Sequence, residues 1–263
     1  KQRLVFLREL LSEKGSIYLH IDYKVGHYIK VIMDEVFGEE NFKNDITRIK
    51  SNPKNFSRKA YGNEKDMILF YAKNHKKNIW NDIRVPLNEK ELENRFKKID
   101  ANGRRYTTIP LHAPGETKDG VTGQEWRGML PPEGRHWRTN PAEFDALDLN
   151  GHIEWSRTGN SRIKKYADEH AGIKVQDIWE YKDPQNPIYP TEKNYNMLKF
   201  IIEQSSNKDS IVLDCFAGSG STLLAANNEG RRWIGIDNSK VSFQTIKKRI
   251  GIDNINCLEI DNK

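Results

Sequence analysis

Residues 211–237, IVLDCFAGSGSTLLAANNEGRRWIGID, constrain this chain more than any other stretch. The apolar run from Ile211 to Phe216 reads as a buried strand and leads into Gly218-Ser219-Gly220. Helical spacing follows from Leu223 to Glu229, Gly230 closes it, and Trp233 to Asp237 reads as a second strand. A glycine bend between strand and helix permits a tight turn and lets a ligand approach bare backbone at a helix N-terminus. An acid at the tip of the second strand can accept hydrogen bonds from both hydroxyls of a ribose. Asp237 follows Gly218 by 19 residues, the offset that such a site requires.

Two ligand classes suit that pattern. A dinucleotide fingerprint would place a third glycine at position 223, where this chain has Leu223, and there is no Gly-Lys-Ser/Thr phosphate loop. Asp214, just before the turn, would repel a pyrophosphate but tolerate a sulfonium or ammonium group. The residues therefore favour a nucleoside without a pyrophosphate, such as S-adenosylmethionine, with a nicotinamide dinucleotide as the rival.

The rest of the chain divides into zones. In the first, Arg3 to Lys14 and Val25 to Phe37 have helical spacing, stopped by Gly15 and Gly38. Ser16 to Asp22, Ile46 to Ile49 and Met67 to Ala72 read as strands. About 74–187 the regularity is lost among glycines, prolines and five of the six tryptophans. Most of those tryptophans are expected to anchor a small core, whereas Arg127, Arg135, Arg138, Arg157 and Arg162 are candidates for reaching a partner. From 188 onward α/β order resumes, with helices over Tyr195 to Ile202 and Val241 to Ile250 and a last strand over Asn256 to Ile260.

Charge points to an anionic partner. Of the 263 residues, 43 are Lys or Arg and 37 are Asp or Glu, a net charge of +6. The stretch from Lys43 to Lys77 holds ten basic residues against three acids, so it carries the whole excess, with Asn52, Asn55, Phe56 and Tyr61 interleaved. Cations, amides and stacking rings suit nucleic-acid contact, and a solvated loop is the plain alternative. Cys215 and Cys257 are too few for a disulfide framework or zinc site, and the histidines show no metal-binding spacing. No apolar run approaches the roughly 18 residues of a membrane span, and Lys1 to Glu9 is not a signal peptide. A soluble, cytoplasmic protein without a metal is expected.

The segment DCFAGSGST (214–222), preceded by Tyr189-Pro-Thr-Glu-Lys193, resembles the paired cofactor motifs of amino-methylating DNA methyltransferases. Their usual forms are YPTQKP-like and DPFCGSGTT-like, in that order, with Cys215 here standing where proline is usual. Cofactor motifs placed late in the chain resemble the circularly permuted beta arrangement of that family. LLSEKGSIYLHID (10–22), MDEVFGEENF (33–42), KDMILFYAKN (65–74), WRGMLPPEGRHWR (126–138) and VQDIWEYKDP (175–184) resemble the Mod subunits of type III restriction-modification systems. The resemblance covers most of the chain.

That resemblance implies an α/β, Rossmann-like S-adenosylmethionine-dependent methyltransferase sheet with an inserted irregular target-recognition region. Residues 1–73 would form its catalytic-side half, 74–187 the recognition region and 188–263 the cofactor-binding half. Carried over by position, Asp214, Phe216, Gly218, Ser219, Gly220 and Thr222 would shape the cofactor pocket, and Asp237 would hold the ribose. Thr191 and Lys193 would hold the methionine carboxylate, an ordinary helix cap being the alternative for Thr191. Asn52, Lys54, Asn55, Arg58, Lys59, Arg127, Arg135 and Arg138 would contact double-stranded DNA. A homodimer or a restriction subunit is implied by the same analogy.

One departure is serious. The family's catalytic Asp/Asn/Ser-Pro-Pro-Tyr/Phe/Trp tetrapeptide has no counterpart here. Leu130-Pro131-Pro132-Glu133 lacks its polar and aromatic ends, and Asp183-Pro184-Gln185-Asn186 lacks the second proline and the aromatic. The tetrapeptide is expected upstream, on a central strand between Ser16–Asp22 and Ile211–Phe216 of a seven-stranded sheet. Residues 1–263 are then part of a longer polypeptide and, taken alone, would be insoluble or molten. Asp22 is expected to neighbour the active site, with a helix cap before Tyr23 as the alternative. The implied reaction is direct methylation of an exocyclic base amine, adenine N6 by analogy with type III enzymes. Cytosine N4 and a non-catalytic DNA-recognition subunit stay open. Ring-carbon methylation needs a thiolate after proline, which neither cysteine provides, and both thiols are expected to be buried.

Overall fold

The computed structural model describes the chain except for residues 54–56, 58, 118, 252–255, 259 and 261–263. The chain begins with α1 (Gln2–Leu10), β1 (Ser16–Ile21), α2 (Gly26–Phe37), β2 (Phe42–Ile49) and β3 (Lys65–Ala72). Next come β4 (Arg84–Val85), α3 (Glu89–Arg95), β5 (Lys98–Ile99), β6 (Arg105–Pro110), β7 (His112–Pro114) and β8 (Arg135–Trp137). They are followed by α4 (Pro141–Leu149), β9 (Ile153–Trp155), β10 (Ser161–Tyr166), β11 (Ile173–Lys174) and β12 (Ile178–Trp179). The last elements are α5 (Tyr195–Ser205), β13 (Ile211–Asp214), α6 (Ser221–Asn228), β14 (Arg232–Gly235) and α7 (Lys240–Ile250).

The chain folds into two compact units, 84–173 and the remainder. In the larger unit β3 is the organising strand. Met67 to Ala72 are all buried, because helices cover both faces of the sheet β1-β3-β2-β12. Period-two alternation sends Met67, Leu69 and Tyr71 toward α1 and α2, where Leu4, Met33 and Phe37 meet them. Ile68 and Phe70 point the other way, to Ile46, Trp179 and the α5 residues Met197 and Phe200. Each such large apolar side chain contributes about 1.5–3 kcal/mol on burial. Helix α2 ends where Gly38 adopts φ +91, a conformation that side chains disfavour.

The boundaries of the smaller unit lie inside the 74–187 stretch marked out by composition. Extended segments on both sides of it are stitched to the larger unit: Asn81 N–H donates to Gln204 O at 2.8 Å, and β12 pairs in parallel with β2. Composition sees only the loss of periodicity, not the hydrogen bonds that an irregular segment can still make.

The strands of the larger unit form a four-stranded sheet and a separate parallel pair, β13-β14, rather than one seven-stranded sheet. Helix α5 packs on both, through Phe200 to β3 and through Ile202 and Leu198 to Val212. β1 and β13 each keep one edge with no strand partner among the described residues. Residues 256–258 and 260 are not in a strand, and the rest of the expected last strand lies partly outside the described residues.

The smaller unit is more regular than its glycines and prolines imply. Strands β5-β6-β10-β9 form an antiparallel sheet, and β7 pairs with β8. Its core is Leu111, Trp126, Trp137, Phe144, Ile153 and Ile163, so Trp126 and Trp137 are the expected anchors, whereas Trp155 is largely exposed. Both buried indoles satisfy their N–H, Trp137 on Gln124 O at 2.7 Å and Trp126 on Asp145 at 3.1 Å. Helix α4 begins with Asn140 as its cap and Pro141 in the first turn, where a missing N–H costs nothing.

Candidate active site

The glycine turn closes as a self-consistent piece of backbone. At the end of β13, Asp214 Oδ1 accepts the Phe216 N–H at 3.0 Å, which swings the chain out of the strand. Gly218 and Gly220 follow with φ +48 and +71, and a Cβ on Gly220 would stand 2.6 Å from Ile246 Cγ1. Only glycine meets both demands there. Asp237 reaches back from beyond β14: its Oδ2 accepts the Gly218 N–H at 2.8 Å and its Oδ1 the Ser239 N–H at 2.9 Å. The acid and the bare backbone, far apart in sequence, are in contact.

The upstream segment joins them. A Cβ on Gly218 would meet the Tyr189 ring at 3.4 Å, so Tyr189 lies directly against the turn. Ser219 is buried, its hydroxyl 2.9 Å from that of Ser221, while the Phe216 ring is 63% exposed beside the turn. Arg249 reaches Ser221 at 2.5 Å but is neutralised by Glu192. The charged group bonded into the turn is thus a carboxylate, which suits a ribose diol and opposes a pyrophosphate. Asp214, Phe216, Gly218 and Asp237 thus gather at one turn, with Ser219 and Gly220 buried in it and Thr222 half-buried in the first turn of α6. Thr191 is exposed and holds φ +66, a strained conformation for a β-branched residue. It is not the helix cap: Asn194 caps α5, accepting the Met197 N–H at 3.1 Å.

A second set of groups gathers where β1 and β2 end and β3 begins. Arg48 is 0% exposed, and its guanidinium donates to Tyr181 O at 2.7 Å, to Asp183 at 2.5 Å and to Asp66 at 3.5 Å. Asp66 also receives Lys50 at 2.7 Å and faces His20 Nε2 at 2.9 Å. Burial alone would raise the Asp66 pKa, but the hydrogen bonds from Lys50 and His20 outweigh it and hold the carboxyl low. Burial, then the Lys193 charge, pushes His20 down to about 4 against the pull of Asp66, so its imidazole is neutral at pH 7. Lys193 is half-buried and its pKa lowered, by burial and then by Arg48. Three cations, Arg48, Lys50 and Lys193, stand against two carboxylates, Asp66 and Asp183.

His20 has no metal-binding spacing, and Arg48 and Lys50 belong to the basic Lys43–Lys77 segment expected to contact nucleic acid, with a solvated loop as the alternative. One signal was available: Ile46 and Arg48 share a strand face, so a cation occupies a core-facing position. Much of the basic Lys43–Lys77 segment is likewise spent internally. Lys43 donates to His75 O at 2.8 Å, Lys73 to Arg8 O, and Lys77 pairs with Glu13.

The other expected residues divide. Asp22 accepts the Lys24 N–H at 2.8 Å and its carbonyl takes the Gly26 N–H, so it shapes the turn into α2. Asn52 and Lys59 are exposed, with Asn52 bonded to Lys182; Lys54, Asn55 and Arg58 lie outside the described residues. Arg127, expected to reach DNA, instead bridges Asp145 and Asp148, whereas Arg135 and Arg138 have no carboxylate partner among the described residues. Cys215 is half-buried, with burial and Asp214 raising its pKa, but Cys257 is exposed rather than buried. No helix among the described residues is long and apolar enough to cross a membrane.

Comparison with known proteins follows the same lines. The type II methyltransferase M.EcaI of Enterobacter cloacae is 43% identical over 258 residues, 96% of this chain and 56% of that protein. The StyLTI Mod subunit, a type III restriction-modification enzyme of Salmonella typhimurium, is 25% identical over 96% of this chain and 42% of its own length. The chain therefore spans about half the length of these curated relatives. Among solved structures, the complex of M1.HpyAVI with SAM superposes with a TM-score of 0.51 at 21% identity, covering 95% of this chain and 80% of that one. The DNA methylase model of N6/N4 type matches residues 1–248, and the chain belongs to that family, whose methyl donor is S-adenosylmethionine.

Proposed function

We propose that this chain is the cofactor-binding and DNA-recognition part of a methyltransferase that modifies an exocyclic amine of duplex DNA, N6 of adenine. One observation carries the reading: the Gly218 N–H bonded to Asp237, with Tyr189 packed over the glycine. The two relatives named above, a type II methyltransferase and a type III Mod subunit, support a role in restriction-modification. A restriction subunit or a second copy as partner, inside the cytoplasm, belongs to the same proposal by analogy.

When bound, S-adenosylmethionine supplies an electrophilic methyl group on a sulfonium. Asp237 accepts the ribose hydroxyls, exposed Phe216 offers an apolar face to the adenine, and Asp214 favours the positive sulfonium. Lys193, backed by Arg48, takes the methionine carboxylate, which provides the anion that Asp66 and Asp183 leave wanting. Thr191, two residues before Lys193, is assigned to the same carboxylate. Asn52, Lys59, Arg135 and Arg138 are the described residues assigned to DNA.

The amine lone pair of a base is delocalised, so a polar-Pro-Pro-aromatic segment must accept its hydrogens while the aromatic stacks on the flipped base. The edges of β1 and β13 that have no strand partner among the described residues, under a shared α5, are where we propose that such a segment pairs. The test is methylation of a defined genomic DNA by the full-length protein, read by modification-sensitive sequencing. N6-methyladenine at one sequence context is expected. N4-methylcytosine would redirect the base assignment, and binding without modification would leave a DNA-recognition subunit.

A further inference from the structure

Six arginines of the smaller unit fall into two groups. Arg104 pairs with Asp168 and Glu169, Arg105 with Glu93, and Arg127 with Asp145 and Asp148. Arg135, Arg138 and Arg162 have no carboxylate within ion-pair reach among the described residues. Instead they are held by neutral acceptors. Arg138 Nε donates to Pro110 O at 3.0 Å, Arg162 Nε to Thr108 Oγ1 at 2.9 Å, and Arg135 Nη1 lies 3.2 Å from His112 Nδ1. Register brings them together, since Arg162 is opposite Pro110 on β6 and Arg135 opposite Pro114 on β7. A guanidinium fixed by a carbonyl, a hydroxyl or an imidazole nitrogen is pre-oriented while its charge stays unmatched.

We propose that Arg135, Arg138 and Arg162 grip the DNA phosphate backbone around His112, and that His112 takes up a proton as the phosphate arrives. The proposal rests on the DNA-methyltransferase reading and deepens it by naming the gripping surface and its linkage to pH. Burial, followed by Arg135, Arg138 and Arg162, holds the free His112 below its ordinary pKa. The charged groups around it are these three arginines, from β8, the segment after β8 and β10. His136 on β8 is turned to Gly115 O, and Glu143 and Lys165 line a cleft with Arg138. A phosphate among the arginines offsets the repulsion that, after burial, lowers the His112 pKa; as Arg135 turns to the phosphate its contact to Nδ1 opens and frees that nitrogen for the proton, so the bound state has the higher pKa. Affinity is then greatest at low pH and is lost as pH rises through the bound-state value.

The experiment is a fluorescence-anisotropy titration of a labelled duplex with the full-length protein, at several salt concentrations between about pH 5.5 and pH 8. Wild-type affinity should rise on acidification by up to about tenfold per pH unit. His112→Gln should flatten that rise while keeping the salt dependence. Each of Arg135→Gln, Arg138→Gln and Arg162→Gln should reduce the slope of log affinity against log salt by about one, and the Arg→Lys variants should restore it. Unchanged salt slopes in folded Gln variants, verified by their melting curves, would overturn the grip. An unchanged pH profile in His112→Gln would overturn the proton uptake. Failure of the wild-type protein to bind duplex DNA at any pH would instead sink the methyltransferase reading underneath.

Discussion

Arg48 and Arg162 carry the same guanidinium into opposite circumstances. Arg48 is sealed at the ends of three strands, with two carboxylates and a carbonyl to receive it. Arg162 lies on the surface of the smaller unit, held among the described residues by Thr108. A buried cation must be matched where it stands, because desolvation costs several kcal/mol per ion. A surface cation can wait unmatched in water and meet its counter-charge in a partner. One region spends charge on its own architecture, and the other keeps charge for binding.

Substitution tests that contrast most sharply. Arg48→Ala leaves Asp66 and Asp183 without their shared cation and should lower the unfolding free energy by about 3–5 kcal/mol. Gln at Arg135, Arg138 or Arg162 should change it by less than about 0.5 kcal/mol. Denaturant melts of the full-length protein measure both. Equal losses in the two regions would break the comparison.

A smaller effect follows from His20. Its folded pKa, about 4, lies below the ordinary value of 6.5, so between those values the unfolded chain binds more protons than the folded one. Stability should therefore fall as pH drops from about 6.5 to 4, by roughly 3 kcal/mol for this group, and level off below. His20→Gln should remove that limb of the stability-pH curve. A wild-type curve flat across the window would contradict the burial of a neutral imidazole against Asp66.

Arg127 sharpens the middle of the scale. Its ion pairs with Asp145 and Asp148 are solvent-exposed, so Arg127→Gln should destabilise only slightly, far less than Arg48→Ala. A loss as large as that for Arg48→Ala would place it among the architectural cations.

The same contrast explains what could be read from sequence. The glycine turn was legible because strand, bend, helix and acid follow one another within residues 211–237, and the turn's demands for positive φ fall on residues that declare themselves. The helix at Tyr195 was legible from its period, and it runs on to Ser205. Arg48, Asp66 and His20 were not, because antiparallel register joins residues from three strands and no local pattern encodes that pairing. Nor was the fate of Arg127 legible beside that of Arg135. Both stand in one glycine- and arginine-rich stretch, and only the first finds acids on α4.

The account depends most on the turn and Asp237 holding an adenosyl cofactor. Calorimetric titration of the full-length protein with S-adenosylmethionine, wild type against Asp237→Ala, addresses this directly. Loss of hydrogen bonds to a charged acceptor, about 1.5–3 kcal/mol, predicts binding roughly ten- to a hundredfold weaker in a variant that still folds. Equal affinity of the two proteins, or tighter binding of a nicotinamide dinucleotide by the wild type, would contradict it.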